Sequence, residues 1–559
     1  MRMNTTFNLF SRSKNKIERE EIRRILIIRS CQMLQFSLIF EKLKGSFPGA
    51  AFTVLTSSST QNEIRKNTGI TQFITYDRPK FNIRRMSKEA RTKLKGHDLF
   101  VIPYNNFSGN GYFLVEEIAY RSKAPYIRAF DVKGDSYIFT RSGWFFKSIA
   151  QLFVNIADEL IAGLLFGLWM GVAAILFVPT KLFLWVKPHR NVDRRKVLFL
   201  SHDGYYLPTA RVRCYNFAKE LSGLGWQTDV FSNYDNFAHI ARYHYTPEEM
   251  CDTNRMWTNI RAFFRLIRES SSTILYVQKV KYHILAPLFV HILKGNKMIF
   301  DFDDWEFPTP AFKYIPCDRL LSRIAGKAEL FVGASHFLVT CLERYHPRVE
   351  LLLTMTDTER FRPRKVSKPN ENVVFCWAGV VFGHPILENI RFMLDCYHKV
   401  YLRHPEISLR IVGGGPFMPR VEEMIKEKYQ NLKIEFGGWI EPDRMQEFYD
   451  SIDVGLMPLI RPTDFIRAKS PTKLFEYMAM EKPTISSNVG EASYMVTNEV
   501  DGFLANNEND FVSDMERLIR EPELRIKMGN NARKTIVKRF SLKEAGKKLD
   551  EIIGTLQKS

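Results

Sequence analysis

The most informative segment of this chain is Ser470-Pro471-Thr472-Lys473-Leu474-Phe475-Glu476-Tyr477-Met478-Ala479-Met480-Glu481-Lys482-Pro483. Its Ser-Pro pair is a helix start signal, its apolar residues keep helical spacing, and the final proline ends the pattern. Lys473 and Glu476 fall one turn apart on another face, near the free N–H groups of the first turn, which favour anions. The pattern predicts either a binding site or, as the alternative, a solvated ion pair on a surface helix.

This segment resembles the donor-binding segment of retaining glycosyltransferases with the GT-B fold, in the glycosyltransferase 4 family. Members typically carry Ser-Pro-x-Lys-x-x-Glu-Tyr-Met-Ala-x-Gly-Lys-Pro at this place. The resemblance extends over about residues 196–545. It implies that Glu476 binds the ribose of a nucleotide-sugar, and that transfer depends on Glu476 and Lys473.

Length and composition predict a large globular protein with several domains. The chain has 559 residues, of which 45% are hydrophobic and 25% charged. A chain of this length is too long to fold around a single hydrophobic core. Its seven cysteines are scattered and never spaced as Cys-x-x-Cys, which argues against a zinc site or a disulfide framework. The net charge is +20, but the basic residues are dispersed and no nucleic-acid motif occurs. We therefore expect an anionic membrane surface as partner, and no nucleic acid.

Residues 160–180 carry no charged side chain, and about 20 such residues suffice to cross a bilayer core. Aromatic residues flank this segment and basic residues follow it, as at membrane interfaces. A buried core helix is the alternative. Because a single pass would separate the flanking globular parts, we expect a membrane-associated helical segment at 146–190, attached in a monotopic or re-entrant way. The expected location is the cytoplasmic side of a bacterial plasma membrane; the polar first twenty residues show no cleavable signal peptide.

Residues 21–145 alternate strands with helices, which predicts a parallel α/β layer. The strands near 25–28 and 52–55, with Phe47-Pro48 between them, resemble the first half of heptosyltransferase-like glycosyltransferase 9 domains. Those domains usually carry a Gly-Asp pair where this chain has Ser30-Cys31-Gln32-Met33. The sequence predicts a Rossmann-like accessory domain after a basic tail at 1–20, and leaves acceptor recognition and partner docking open as its role.

Two further α/β series follow the membrane segment, and their strands end in Gly or Pro at the edge where such proteins bind ligands. The resemblance implies an α/β GT-B fold, made of two facing Rossmann-like domains. We expect the acceptor domain at 196–365, the nucleotide-sugar donor domain at 366–545 and a C-terminal helix at 546–559.

The resemblance also assigns the donor pocket. In the family, the glycine matching Gly379 begins a loop at the phosphates, and the loop at Gly438-Trp439 holds the base. The N–H groups at the start of the helix and the Lys473 ammonium suit a diphosphate. The expected donor-binding residues are Gly379, Gly438, Trp439, Ser470, Pro471, Thr472, Lys473 and Glu476.

The chain departs from the family at four positions. Val380 and His384 stand where the family carries two phosphate-binding cations, so Arg467, Lys469 or Lys473 would have to replace them. Ala468 stands where a first Glu precedes Glu476 by eight residues. Glu481 replaces a glycine at a helix end that often requires a positive φ.

The acceptor or phosphate site is predicted from residues that follow the strands of the first GT-B domain: Gly204, Arg211, Arg213 and Lys279. Solvated arginines are the alternative for Arg211 and Arg213. The cluster Asp301-Phe302-Asp303-Asp304 allows a metal site, cleft hydrogen bonding or plain loop structure, and the resemblance implies that no metal is required.

The function that follows is a membrane-associated retaining glycosyltransferase without a cofactor. It would transfer a sugar from a nucleotide-sugar to a lipid-linked or cell-surface glycan, with catalysis by positioning and phosphate stabilisation. The alternative is a catalytically silent GT-B scaffold in a membrane polysaccharide-assembly complex, which the missing cations and the missing Glu motivate.

Overall fold

A computed structural model of the 559-residue chain describes residues 22–30, 33–57, 61, 64, 69–76, 81–104, 112–130, 136–186, 195–205, 208–233, 251–312, 315–364, 372–381, 383–415 and 417–558. The predicted tail at 1–20 and most of the basic cluster after the membrane segment lie outside these residues. The chain divides into two compact units, which are described separately. The first contains residues 1–156, 381–388 and 415–423, and the second contains 157–380, 389–414 and 424–559.

The first unit contains a six-stranded sheet in the order β3-β2-β1-β4-β5-β6, parallel except for β6. Alternate residues of β1 and β4 pack into two apolar layers on opposite faces of the sheet, because successive strand side chains point to opposite sides. The strands and helices are β1 (Arg24–Ile28), α1 (Met33–Ser46), β2 (Ala51–Thr56), β3 (Ile70–Thr75), α2 (Lys88–Lys93), β4 (Leu99–Pro103), α3 (Phe113–Ser122), β5 (Tyr126–Phe130) and β6 (Ser136–Thr140).

A single helix, α4 (Arg141–Val186), follows β6 directly. An 18-residue window within Leu152–Thr180 has a mean hydropathy of 2.4, so this part of α4 is, by length and composition alone, long and apolar enough to cross a membrane. The helix continues through Gly167, Gly171 and Pro179, without the break that a re-entrant hairpin requires.

The second unit opens with a parallel sheet in the order β14-β13-β10-β9-β7-β8. Its central strands are buried on both faces by flanking helices, as expected of a doubly wound sheet. The elements are β7 (Lys196–Ser201), α5 (Pro208–Ala210), a π-helical turn (Arg211–Asn216), α6 (Phe217–Gly223), β8 (Gln227–Ser232), α7 (Asp252–Leu266), β9 (Ile274–Gln278), α8 (Leu285–Lys294), β10 (Met298–Phe302), β11 (Pro310–Phe312), β12 (Ile315–Pro316), α9 (Cys317–Ile324), β13 (Leu330–Gly333), α10 (His336–Leu342) and β14 (Val349–Leu351).

The remaining strands form a second parallel sheet in the order β17-β16-β15-β18-β19-β20. The elements are β15 (Val374–Val380), α11 (His384–Tyr401), β16 (Ser408–Gly414), α12 (Met418–Lys428), β17 (Ile434–Gly438), α13 (Met445–Asp450), β18 (Val454–Met457), α14 (Asp464–Ala468), α15 (Thr472–Ala479), β19 (Thr484–Ser487), α16 (Ala492–Met495), β20 (Phe503–Ala505), α17 (Glu508–Arg520), α18 (Pro522–Arg539) and α19 (Leu542–Lys558).

The last helix returns to the first of these two domains. Leu549 and Ile553 of α19 share one apolar cluster with Phe217 and Leu221 of α6, and the indole of Trp226 donates to Asp550 at 2.7 Å. The chain therefore crosses between the two domains twice, once after β14 and once before α19.

Candidate functional site

Helix α15 has the properties predicted for the most informative segment. Its apolar side chains are buried, from Leu474 to Ala479, and the Lys473 Nζ lies 2.8 Å from the Glu476 Oε2 on the opposite face. The Glu476 side chain is only 15% exposed, so this pair is not a freely solvated surface contact.

Tyr449 is a second hydrogen-bond partner of the Glu476 carboxylate. Its hydroxyl, on the earlier helix α13, donates to the Glu476 Oε2 at 2.6 Å. Tyr449 is fully buried, and its pKa is raised well above the usual value, first by burial and then by the Glu476 charge. Because Lys473 and Tyr449 both bind Oε2, the carboxylate is held in one orientation. No motif in the sequence indicated Tyr449, which lies on a different helix.

Arg211 of the other domain lies within electrostatic range of this carboxylate, and Arg360 lies near Arg211. The pKa of Arg211 is lowered, first by burial and then by the nearby Arg360, while Glu476 acts on it in the opposite direction. Arg360 itself pairs with Asp443 at 3.2 Å. Arg211 was predicted to bind acceptor or phosphate, and the structure brings its charge within range of the Glu476 carboxylate. Arg360 was missed because no predicted site residue lies in the segment that joins β14 to β15.

The candidate replacements for the two missing phosphate cations differ in their surroundings. Arg467 stacks on the Phe337 ring at 4.3 Å, and Lys469 lies 4.3 Å over Phe465. His384 is buried, and burial lowers its pKa to about 4, so it is uncharged at neutral pH. Lys473, by contrast, contacts Glu476, and Arg211 lies within electrostatic range of the same carboxylate.

Glycines allow the ends of the donor-domain strands to approach closely. Gly413 has a φ of +130°, and a Cβ there would lie 1.7 Å from the Gly379 carbonyl oxygen. Gly438 has a φ of +61° and open space beside it. The exposed Trp439 ring lies against Gly414, at 3.4 Å from a Cβ placed there. The predicted phosphate loop at Gly379 and the predicted base loop at Trp439 thus meet the same strand, β16.

The loop before α15 is tied to the first domain. The Ser470 Oγ accepts from the Thr354 N–H at 3.1 Å, and Ala468 is fully buried in the apolar cluster of that domain. A glutamate at 468 would place a carboxylate inside this apolar cluster. Pro471 caps α15 with a φ of −80°, so the segment from Ser470 to Thr472 leads directly into the first helical turn.

The structure removes Arg213 from the predicted ligand-binding residues. Its side chain is fully buried, with the Nε donating to the Asp301 Oδ2 at 2.7 Å and the Nη1 donating to the Leu352 carbonyl at 2.6 Å. A second guanidinium N–H donates to the Asp301 Oδ1. Arg213 points into the core from the π-helical turn, whereas Arg211 on the same turn is half-buried. Arg213 and Asp301 form a structural ion pair.

Lys279 is also unlike the predicted phosphate contact. It adopts a left-handed φ of 64°, and its Nζ lies 3.0 Å from Glu306 and 3.6 and 3.7 Å from Asp203 and Asp303. Burial opposes its charged form, but these carboxylates raise the Lys279 pKa well above the usual value. Its charge is therefore already neutralised. The predicted Gly204 is buried beside Asp203.

No metal-binding group was found in the described part of the chain, where no three His, Cys, Asp or Glu side chains are placed to hold an ion. Asp301 pairs with Arg213, and Asp303 accepts from Gln278 at 3.2 Å. The Asp cluster serves internal hydrogen bonding in this structure.

Comparisons with known proteins find a family match in the second GT-B domain, which contains α15. Residues 372–521 match the family model described as "Glycosyl transferases group 1". The putative teichuronic acid biosynthesis glycosyltransferase TuaH of Bacillus subtilis is 23% identical over 224 residues, 37% of this chain and 55% of that protein. An uncharacterized glycosyltransferase of Methanocaldococcus jannaschii is 24% identical over 156 residues, 28% of this chain and 38% of that protein. The chain thus spans about half the length of these relatives, or less.

Solved structures give the fold. A glycosyltransferase of Rickettsia africae aligns with a TM-score of 0.51 at 15% identity, covering 66% of this chain and 100% of that one. A sucrose-phosphate synthase of Thermosynechococcus elongatus aligns with a TM-score of 0.51 at 16% identity, covering 65% of this chain and 99% of that one. The predicted α/β class with a GT-B fold is thereby confirmed.

Proposed function

We propose that this protein is a retaining glycosyltransferase of the glycosyltransferase 4 type, which transfers a sugar from a nucleotide-sugar to a lipid-linked or cell-surface glycan. One observation carries the proposal. A partly buried carboxylate, Glu476, is held by Tyr449 and Lys473 at the start of α15, inside the segment that matches the glycosyltransferase model. A carboxylate fixed in this way suits two adjacent hydroxyls, as on a ribose.

The diphosphate would lie between the start of α15 and the cation of Arg211. The first turn of α15 offers N–H groups, and Lys473 offers an ammonium. The glycines at 379 and 413 allow backbone to approach the phosphates closely. Stabilising the leaving diphosphate in this place lowers the barrier to transfer without an enzyme nucleophile.

The acceptor side of the proposal is carried by α4. A helix of this length with exposed apolar side chains suits a membrane surface, where lipid-linked acceptors are found. The relative from Bacillus subtilis is named for teichuronic acid biosynthesis, which agrees with a cell-surface glycan. We place the protein on the cytoplasmic side of the membrane, where nucleotide-sugars are made. The domain at 21–145, with its resemblance to half of a glycosyltransferase 9 domain, would be an accessory to this activity.

The test is nucleotide titration by calorimetry, followed by a screen of nucleotide-sugars for hydrolysis, on full-length protein in mild detergent. Glu476→Gln should abolish turnover and weaken nucleotide binding, since an amide cannot replace the carboxylate at the ribose. Glu508→Gln is the matched control, because Glu508 also pairs with a lysine, Lys399, at 2.6 Å but on α17. The anomeric configuration of the product, read by nuclear magnetic resonance, tests retention.

The alternative is a catalytically silent scaffold. The uncharged His384 and the buried Ala468 favour it, because both replace residues that the family uses at the donor. A folded protein that binds no nucleotide would establish the scaffold and refute the enzyme.

A further inference from the structure

Helix α4 is fastened to the first GT-B domain. The Asp158 carboxylate accepts from the N–H groups of Asp252 and Thr253, both at 3.0 Å, and so caps the start of α7. Eleven residues later, the Trp169 ring packs against Phe263 of α7 and Phe289 of α8, at centroid distances of 5.8 and 4.5 Å. The contacts join α4 to the groove between α7 and α8.

The contact follows one stripe of α4. Half-buried or buried positions recur at helical spacing, and most of the described side chains between them are exposed, Leu168 at 61% and Ile175 at 74% among them. The stripe contains 158, 162, 165, 169 and 176. At a rise of about 1.5 Å per residue, this stripe is about 27 Å long. One side of α4 lies on the α/β domain along this length, which favours a helix lying along a membrane surface over one that crosses a hydrocarbon core of about 30 Å.

The neighbouring helix α7 carries an outer stripe of unusual composition. Trp257, Arg261 and Phe264 recur on α7 at steps of four and three residues, so they share one face, and Arg268 follows at the next step of four, two residues past the end of the helix. All four are exposed, Trp257 at 48% and Phe264 at 50%. Within the described residues neither Arg261 nor Arg268 forms an ion pair, whereas Arg265 between them pairs with Asp229 and Glu269.

We propose that this outer face of α7 is a second membrane contact, and that its partner is the headgroup layer of an anionic bilayer. The inference rests on the membrane association in the proposed function and deepens it. Aromatic rings and arginines on one stripe match the headgroup level, where rings meet the acyl boundary and guanidinium groups meet phosphates. The apolar contact of α4 lies beside this stripe, because Trp169 packs on Phe263, whose ring in turn contacts the exposed Phe264 ring at a centroid distance of 5.8 Å. The two surfaces together hold α4 parallel to the bilayer.

The test is flotation of the full-length protein with vesicles of phosphatidylcholine, with and without phosphatidylglycerol. Arg261→Gln/Arg268→Gln should weaken partition onto the anionic vesicles about 30-fold, since each basic residue near such a surface contributes about 1 kcal/mol. Arg319→Gln/Arg323→Gln is the matched control, with two exposed arginines on α9 of the same domain. It should partition as the unchanged protein does.

Two further variants separate the contacts. Trp257→Ser/Phe264→Ser should weaken partition onto both kinds of vesicle, because it removes the apolar part of the stripe. Leu168→Glu/Ile175→Glu on α4 should abolish partition. Nucleotide affinity, measured on every variant, should stay unchanged and shows that the domain is folded.

If the α7 variants float like the unchanged protein while the α4 variant does not, the inference is overturned and membrane attachment through α4 stands. Equal weakening by the α7 and α9 arginine pairs also overturns it, since net charge alone would then explain binding. If the unchanged protein does not float at all, both the inference and the membrane part of the proposed function fall, while nucleotide binding still decides the enzyme.

Discussion

Replacing Arg213 by methionine should destabilise the protein strongly without removing a ligand contact. Arg213 and Asp301 are both fully buried, so the variant leaves a carboxylate without its cation in the core. Breaking a buried pair in this way costs about 3–5 kcal/mol. Burial already raises the pKa of Asp301, and protonation of the orphaned carboxyl keeps the loss near the lower end of that range.

The assay is urea denaturation of full-length protein in mild detergent, followed by tryptophan fluorescence. With a slope of about 3 kcal/mol/M, the midpoint should fall by about 1 M or slightly more. Arg213→Met/Asp301→Leu should recover most of the loss, because an apolar pair of similar volume fits the same space. Arg211→Met is the control, and should change stability by less than about 1 kcal/mol but weaken nucleotide binding. An Arg213→Met protein with an unchanged midpoint and lost nucleotide affinity would refute the structural assignment.

Three other predictions follow from single residues. Tyr449→Phe should raise the KM for the nucleotide-sugar about tenfold, or about 1.4 kcal/mol, with a smaller change in kcat, because it removes the hydroxyl that orients the Glu476 carboxylate. The control is Tyr397→Phe, which removes a buried hydroxyl bonded to the Lys433 carbonyl oxygen and should leave the KM unchanged. Glu481 has a left-handed φ of 58°, a backbone conformation that glycine adopts without strain, so Glu481→Gly should raise the free energy of unfolding by about 1 kcal/mol. Glu481→Ala keeps the strained conformation and should show no gain in urea denaturation. Burial raises the pKa of Asp514 from 3.8 to about 6, so the unchanged protein loses stability as the pH rises through that range. Asp514→Asn should therefore be more stable than the unchanged protein at pH 7 and equal to it near pH 4. Equal thermal midpoints at pH 7 would contradict this.

Local sequence signals predicted the donor helix well. The apolar spacing gave the buried face of α15, and the contact between Lys473 and Glu476 followed from helix geometry. The positive φ expected at the end of this helix is present at Glu481. These features depend on neighbours within one or two turns, which a single sequence displays.

Contacts between distant residues could not be predicted in the same way. Arg213 lies two residues from Arg211, and only the π-helical turn and an aspartate 88 residues away distinguish them. Lys279 was taken for a free cation because its three carboxylate partners come from other strand ends. Tyr449 carries no motif, since its role depends on where α13 packs. Burial and pairing decide the role of each charge, and both arise only in the folded chain.

Because Leu549 and Ile553 of α19 fill the apolar surface of α6, the two GT-B domains are not interchangeable cassettes. A chimera that exchanges the second GT-B domain at the crossing after β14 would also bring in a foreign final helix and mismatch the core of the first. A workable exchange has two junctions, the second between α18 and α19. The same rule applies to split expression: the first GT-B domain needs residues 542–558 supplied with it, or it leaves an open apolar groove.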